Sequence, residues 1–316
     1  MLSNSIKGGL YGCIAAISYG LNPFCALSLY QDGMSPTCVL FYRFFIGSIL
    51  LGLLMTVQKK GFAITRKEAG VLALLGILFA VSSFTYYVSF NYMGAGVAAT
   101  LVFAYPVFTA LLMAIFFKER LKWPSLLAIA MTIGGIILLY KDDSGKPIAF
   151  VGIVLILLSA LSYALYIILI NQSGIVMSSV KLTFYAMLSC LLCIIIYSIV
   201  FPEDGAIRML SGTSQWGYAF LMGLVPTVVS LVFMAMAIRY IGSTPTAIMG
   251  ALEPVTAIVL GMAVFGEHLT ARLSTGVVLI LISVILIILD HKIRHALTKI
   301  HIIRRGKSIV KRWIWK

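Results

Sequence analysis

The sequence predicts an all-α membrane protein, with ten transmembrane helices in two inverted five-helix repeats. Three observations carry that expectation. The first is composition: of 316 residues, 61% are hydrophobic and only 11% charged, with a mean hydropathy of +1.06. A soluble domain of this size cannot cover so much apolar surface. The second is the presence of ten apolar runs of bilayer-spanning length, at 8–30, 36–57, 69–90, 94–117, 124–140, 148–170, 181–201, 216–238, 243–265 and 273–290. The third is a duplication. Residues 92–121 return as residues 240–269 without a gap, at an offset of 148. Tyr92/Tyr240, Gly94/Gly242, Ala99/Ala247, Pro106/Pro254, Val107/Val255, Phe117/Phe265, Glu119/Glu267 and Leu121/Leu269 are among the identical pairs, against roughly two or three expected by chance for such a composition. Five spans per copy is an odd number, so the second copy must sit upside down relative to the first. The expected divisions are 1–145 (spans one to five), 146–290 (spans six to ten) and a basic tail, 291–316.

Charge sets the orientation. The net charge is +14, but the cations cluster in connections and in the tail, where they report topology and contact with anionic lipid rather than nucleic acid. With the N-terminus in the cytoplasm, 19 Lys and Arg fall inside against 4 outside, and 10 against 4 without the tail. Both termini are therefore expected in the cytoplasm. The five cysteines lie in or beside spans and imply no disulfide framework.

Span one carries Gly8, Gly12, Ala16 and Gly20 at intervals of four, a face without bulk that lets another helix approach closely. Its other faces hold Tyr19, Asn22 and Pro23. Span six echoes it: Ala160-Leu161-Ser162-Tyr163-Ala164-Leu165 matches Ala16-Ile17-Ser18-Tyr19-Gly20-Leu21 at four of six positions. Span two contains Arg43, which either snorkels outward or presents a cation to a cavity. Span three ends in a polar and aromatic stretch with Tyr86 and Tyr87. In spans four and nine, Pro106 and Pro254 sit near mid-span, where each should kink its helix. Tyr105 precedes the first proline and Glu253 the second. A carboxylate at bilayer depth costs roughly 2.5–3.5 kcal/mol. Glu253 is thus a proton carrier, a ligand for a substrate amine, or a structural acid. Glu119 and Glu267, at the far ends of the two copies, are expected to cap or pair. The 202–215 connection shows no motif. The tail reads as a helix on the anionic leaflet or a flexible basic segment.

The repeated segment resembles the EamA family of the drug/metabolite transporter superfamily. Leu252-Glu253-Pro254-Val255 followed by Phe265-Gly266-Glu267-His268-Leu269-Thr270 carries the resemblance, with Tyr105-Pro106-Val107-Phe108 and Phe117-Lys118-Glu119-Arg120-Leu121 in the first half. Tyr19-Gly20 and Tyr42-Arg43-Phe44 fit as well. The resemblance implies a ten-helix permease with a central cavity, moving small metabolites, often amino acids and commonly outward.

The expected function is secondary active transport of a small metabolite by alternating access, namely export of an amino acid or related compound across the inner membrane. The expected partners are that substrate, coupled protons, and anionic lipid at the tail. Tyr19, Asn22, Arg43, Tyr87, Tyr105, Tyr163 and Glu253 are the candidate substrate-binding residues, and Pro106 and Pro254 the candidate hinges. No catalytic group, metal site or cofactor motif is recognisable within the spans, so an enzyme is not expected. The alternatives are a nucleotide-sugar or sugar-phosphate carrier of the same superfamily, and a non-transporting membrane scaffold or sensor.

Overall fold

Apolar runs of this length satisfy their backbone in lipid by bonding within the segment, and each run is helical. The computed structural model describes residues 4–118, 123–139 and 149–289, apart from positions 176, 242–245, 247, 269 and 287. The tail expected at 291–316, and Glu119, lie outside the described residues. The order is α1 (Asn4–Gly20), α2 (Asn22–Gln31), α3 (Pro36–Val57), α4 (Arg66–Ser89), α5 (Ala95–Val102), α6 (Tyr105–Phe117) and α7 (Trp123–Leu139). It continues with α8 (Phe150–Gln172), α9 (Ser179–Val200), α10 (Pro202–Gly205), α11 (Thr213–Met222), a π-helical stretch Gly223–Val229, α12 (Ser230–Ile241), α13 (Leu252–Phe265) and α14 (Ala271–Leu286). No strand occurs among the described residues.

Among the described residues, seven runs are long and apolar enough to cross a membrane: Asn4–Gln31, Pro36–Val57, Arg66–Ser89, Ala95–Phe117, Phe150–Gln172, Ser179–Val200 and Thr213–Ile241. The shorter apolar helices α7, α13 and α14 fall where the remaining three spans are expected. Side chains such as Leu53 and Ile137 remain about 60% exposed within these runs, as lipid-facing positions must.

Four runs are interrupted, each beside a proline. The first breaks at Leu21, and Pro23 lies in the opening turn of α2. The fourth breaks at Phe103 and Ala104, with Pro106 in the opening turn of α6. Span nine breaks at Gly250 and Ala251, just before Glu253 and Pro254. Pro226 sits inside the π-helical stretch. Pro106 and Pro254 therefore do not kink continuous helices. Each helix stops and restarts, which places the proline in a first turn where its missing N–H has no partner to lose.

The two copies end alike. Lys118 closes α6 and Gly266 closes α13, 148 positions apart, both in the left-handed region (φ 54° and 68°). Glu267 then caps α5: its carboxylate accepts from the N–H of Ala95 at 2.6 Å and of Gly96 at 3.3 Å. This is the capping role expected of it, exercised on the other copy. The small-residue face of α1 is used for close approach. A Cβ on Gly8 would lie 2.5 Å from Ile241, and one on Gly20 would lie 2.7 Å from the carbonyl oxygen of Glu253.

Candidate functional site

The breaks meet at one cavity. About 180 Å³ lies among α1, α2, α3, α4, α5, α6, α8, α9, the π-helical stretch, α12 and α13. Gly20, Pro23, Phe103, Tyr105, Pro226 and Glu253 all line it, so each interruption described above brings a residue of its break or of an adjoining turn to the cavity. Non-helical backbone at membrane depth is tolerated where it lines such a space.

The lining repeats with the sequence. Phe79/Thr227, Ser82/Ser230, Ser83/Leu231, Tyr86/Met234 and Tyr105/Glu253 are pairs 148 positions apart, and both members of every pair line the cavity. Tyr19 and Tyr163, the matched tyrosines of spans one and six, line it too. Each half thus contributes the same register positions to one space.

The walls are aromatic. Tyr105 meets Tyr163 edge-on at 4.7 Å between centroids, and Tyr163 stacks on Tyr166 at 5.7 Å and 11°. Phe79 packs against both Tyr163 and Tyr166. Such contacts hold the rings in fixed orientations around the space. Ser82 and Ser159 join α4 to α8, where Ser159 Oγ donates to the Ser82 carbonyl at 2.7 Å.

Two charged side chains reach this wall. Glu253 stands in the first turn of α13, where the helix N-terminus favours negative charge. Its position is set by Gly20, which lets α1 touch the Glu253 backbone. Arg43, on α3, is 2% exposed. Its Nη1 donates to Tyr87 Oη at 3.0 Å, and Tyr87 Oη donates to Asn22 Oδ1 at 3.2 Å. The guanidinium also lies 5.5 Å from the Tyr87 ring centroid and 5.8 Å from that of Phe44, within the range of cation–π attraction. Among the described residues, Arg43 Nε and Asn22 Nδ2 are buried donors with no hydrogen-bond partner, and Ser48 Oγ on α3 is a third buried polar atom without one. Glu253 and Arg43 do not pair with each other among the described residues.

Five of the seven sequence-predicted residues, Tyr19, Arg43, Tyr105, Tyr163 and Glu253, line the cavity. Asn22 and Tyr87 do not. They stand behind Arg43, and Tyr87 is fully buried. Pro106 and Pro254 shape the breaks from outside the lining. Ser82, Ser83 and Tyr86 belong to the polar and aromatic stretch noted at the end of span three but were not among the expected binding residues, and Tyr166, Ser159, Thr183 and Met187 were not singled out in the sequence. The offset of 148 identifies Ser82 and Tyr86 once it is applied beyond residues 92–121, whereas Thr183 and Met187 carry no such signal.

Known proteins share this architecture. A crystal structure of another protein superposes with a TM-score of 0.64 at 15% identity, covering 88% of this chain and 95% of that one. An uncharacterized transporter of Bacillus subtilis, YdfC, is 25% identical over 84% of this chain and 83% of its own length. A protein of Escherichia coli K12 named a probable amino-acid metabolite efflux pump is 24% identical over 88% of this chain and 93% of its own. A sequence model of the EamA-like transporter family matches twice, at residues 6–141 and 150–289. This multi-pass membrane chain, with one copy of the family's repeat in each half, belongs to the EamA-like transporter family.

Proposed function

We propose that this protein is a secondary transporter that exports a small zwitterionic metabolite of the amino-acid class by alternating access. The observation that carries the reading is the cavity's charge pattern. A buried guanidinium with an unmet N–H and a carboxylate reach the same aromatic-walled space without neutralising each other. A buried cation left without a counter-ion is costly. A substrate carboxylate at Arg43 and a substrate ammonium at Glu253 would complete both, and the tyrosine rings would cover the apolar part. The relatives named as amino-acid metabolite efflux pumps support the same class.

In this reading the chain has ten spans, divided at 145/146 into inverted repeats, with both termini in the cytoplasm of a cell whose inner membrane it crosses. The pairing of cavity positions 148 apart supports that arrangement, because a site between two inverted copies receives equivalent residues from each. Rocking of one repeat against the other exposes the cavity to either side, and Glu253 carries a proton when it holds no substrate. The basic tail rests on anionic lipid. The protein acts as a carrier and not as an enzyme.

The test is the melting temperature of detergent-purified protein against amino acids, amines, sugars and nucleotides. A ligand at about 100 times its dissociation constant adds about 2.7 kcal/mol of stability. Amino acids should shift wild type, while Arg43→Gln and Glu253→Gln should lose most of the shift and its pH dependence. A shift by sugar phosphates or nucleotides alone would sink the proposal.

A further inference from the structure

A second cavity lies beyond Tyr87. It encloses about 300 Å³ and is lined by Tyr30, Ser35, Asn91, Glu203 and Arg208, with parts of the α2–α3 turn and of the 202–210 connection. The positive-inside orientation places this cavity at the outer face. Its walls are polar and carry one charge of each sign.

The 201–212 connection is held in place with unusual care for a loop that looked featureless in the sequence. Arg208 is fixed through its main chain: its carbonyl accepts from Tyr42 Oη at 3.1 Å and Cys38 Sγ at 3.3 Å, and its N–H donates to Cys38 Sγ at 3.4 Å. Both partners are on α3, the helix that carries Arg43. Glu203 sits on the short helix α10, whose Gly205 packs against Tyr197 and Ser198. The structure thus anchors the backbone behind Glu203 and Arg208 and leaves both charged side chains exposed at the cavity.

Tyr87 lies between the two cavities and bonds to a wall residue of each. Tyr30, on the outer wall, donates its hydroxyl to the Tyr87 carbonyl at 3.0 Å. The Tyr87 hydroxyl accepts from Arg43, which lines the central cavity. Tyr87 itself lines neither space, but its main chain bonds to a wall residue of the outer cavity and its side chain to a wall residue of the central one.

We propose that the outer cavity is a second subsite for the transported zwitterion, with Arg208 taking its carboxylate and Glu203 its ammonium, and with Tyr87 as the partition that a molecule passes between the two. The inference rests on the transport reading above. It predicts a weaker site than the central one, since exposed charges are screened by water and salt. A released substrate pauses there before diffusing away, and the same subsite gathers substrate when transport runs inward.

The test compares the two faces of the membrane. Counterflow of radiolabelled L-phenylalanine is measured in right-side-out and in inverted vesicles bearing the full chain. Glu203→Gln/Arg208→Gln should raise KM from the outer face by roughly fivefold, the size expected for two exposed charge contacts. KM from the cytoplasmic face should stay unchanged. The charge exchange Glu203→Arg/Arg208→Glu should bring the outer KM back towards wild type. An unchanged outer KM overturns the subsite, and so does an equal rise on both faces. Arg43→Gln serves as the central control and should lose counterflow from both sides. If wild type shows no phenylalanine counterflow at all, the amino-acid reading of the central cavity fails and the subsite falls with it.

Discussion

Tyr87→Phe removes one oxygen from the most connected part of the structure. That hydroxyl accepts a 3.0 Å bond from Arg43 Nη1 and donates a 3.2 Å bond to Asn22 Oδ1, with Met222 Sδ at 3.7 Å on its far side. A hydrogen bond to a charged group contributes about 1.5–3 kcal/mol and a neutral one about 1. Arg43 Nε and Asn22 Nδ2 are already unmet, and of the two tyrosines that bond Arg43 only Tyr19 remains. The ring itself stays, with its contacts to Tyr86 at 5.9 Å and Phe90 at 5.5 Å, and the cation–π contact to Arg43 is kept. The expected loss is therefore about 2–4 kcal/mol from the two bonds together. Equilibrium unfolding in mixed detergent micelles measures it. Ligand response should move the opposite way: a guanidinium released from Tyr87 has more donors to offer a carboxylate, so the melting shift given by an amino acid should be kept or enlarged. A stability loss below about 0.5 kcal/mol, the size of an ordinary surface change, would refute the claim that Tyr87 holds Arg43 in place.

Two further substitutions test how the halves are joined. Glu267→Gln keeps the shape but removes the charge that caps α5, and should cost about 0.5–2 kcal/mol in thermal melts. A Cβ on Gly261 would collide with the same carboxylate, so Gly261→Ala should cost a similar amount and the double variant little more than either single. Simple addition of the two would show that the carboxylate is not the shared cause. Gly20→Val drives side-chain atoms against Thr256 and the Glu253 backbone; overpacking of this kind costs about 1–3 kcal/mol. Because the displaced backbone carries Glu253, ligand-induced stabilisation should disappear even where the folded protein is recovered. A variant that responds normally would separate Gly20 from the site.

Much of this fold could be read because lipid leaves a chain few options. Hydropathy and length located the seven long apolar runs and the three shorter apolar helices among the described residues, though not the short helix α10, and the duplication placed the prolines and the paired positions. The site was legible where chemistry stood out against an apolar background, as with Arg43 and Glu253. It was obscure where residues were ordinary. Ser82, Ser159 and Thr183 are small polar residues of the kind that close helix–helix contacts anywhere. Asn22 and Tyr87 were recognised as polar, but only the fold shows that they face the back of Arg43. The same limit hid the outer cavity, since the bonds from the Cys38 and Tyr42 side chains to the Arg208 carbonyl join residues 170 and 166 positions apart in sequence.

The repeat supplies a symmetric frame, and a few positions that broke the symmetry supply the chemistry. Tyr105 is the first residue of α6 and Glu253 the second of α13, both in opening turns after a break. Either helix N-terminus accommodates a carboxylate, so the frame alone does not explain why the acid stands on α13. In the proposed reading Arg43 and Gly20 do: Gly20 admits α1 against the Glu253 backbone, and the position 148 after Arg43 holds Leu191, which carries no charge. Exchanging the two residues separates these contributions. The double variant Tyr105→Glu/Glu253→Tyr keeps one carboxylate and one phenol in the cavity. Its melting temperature should lie near wild type, above that of Glu253→Tyr alone, if the two positions are equivalent in the fold. Its response to amino acids should nevertheless stay lost, because the carboxylate no longer stands at the wild-type separation from Arg43, and a zwitterion has a fixed distance between its charges. A restored response would mean that any acid in the cavity suffices and that the pairing across it with Arg43 is not used. A melting temperature no better than that of Glu253→Tyr would show instead that Glu253 serves the fold at its own break, and that the symmetry of the cavity ends at its walls.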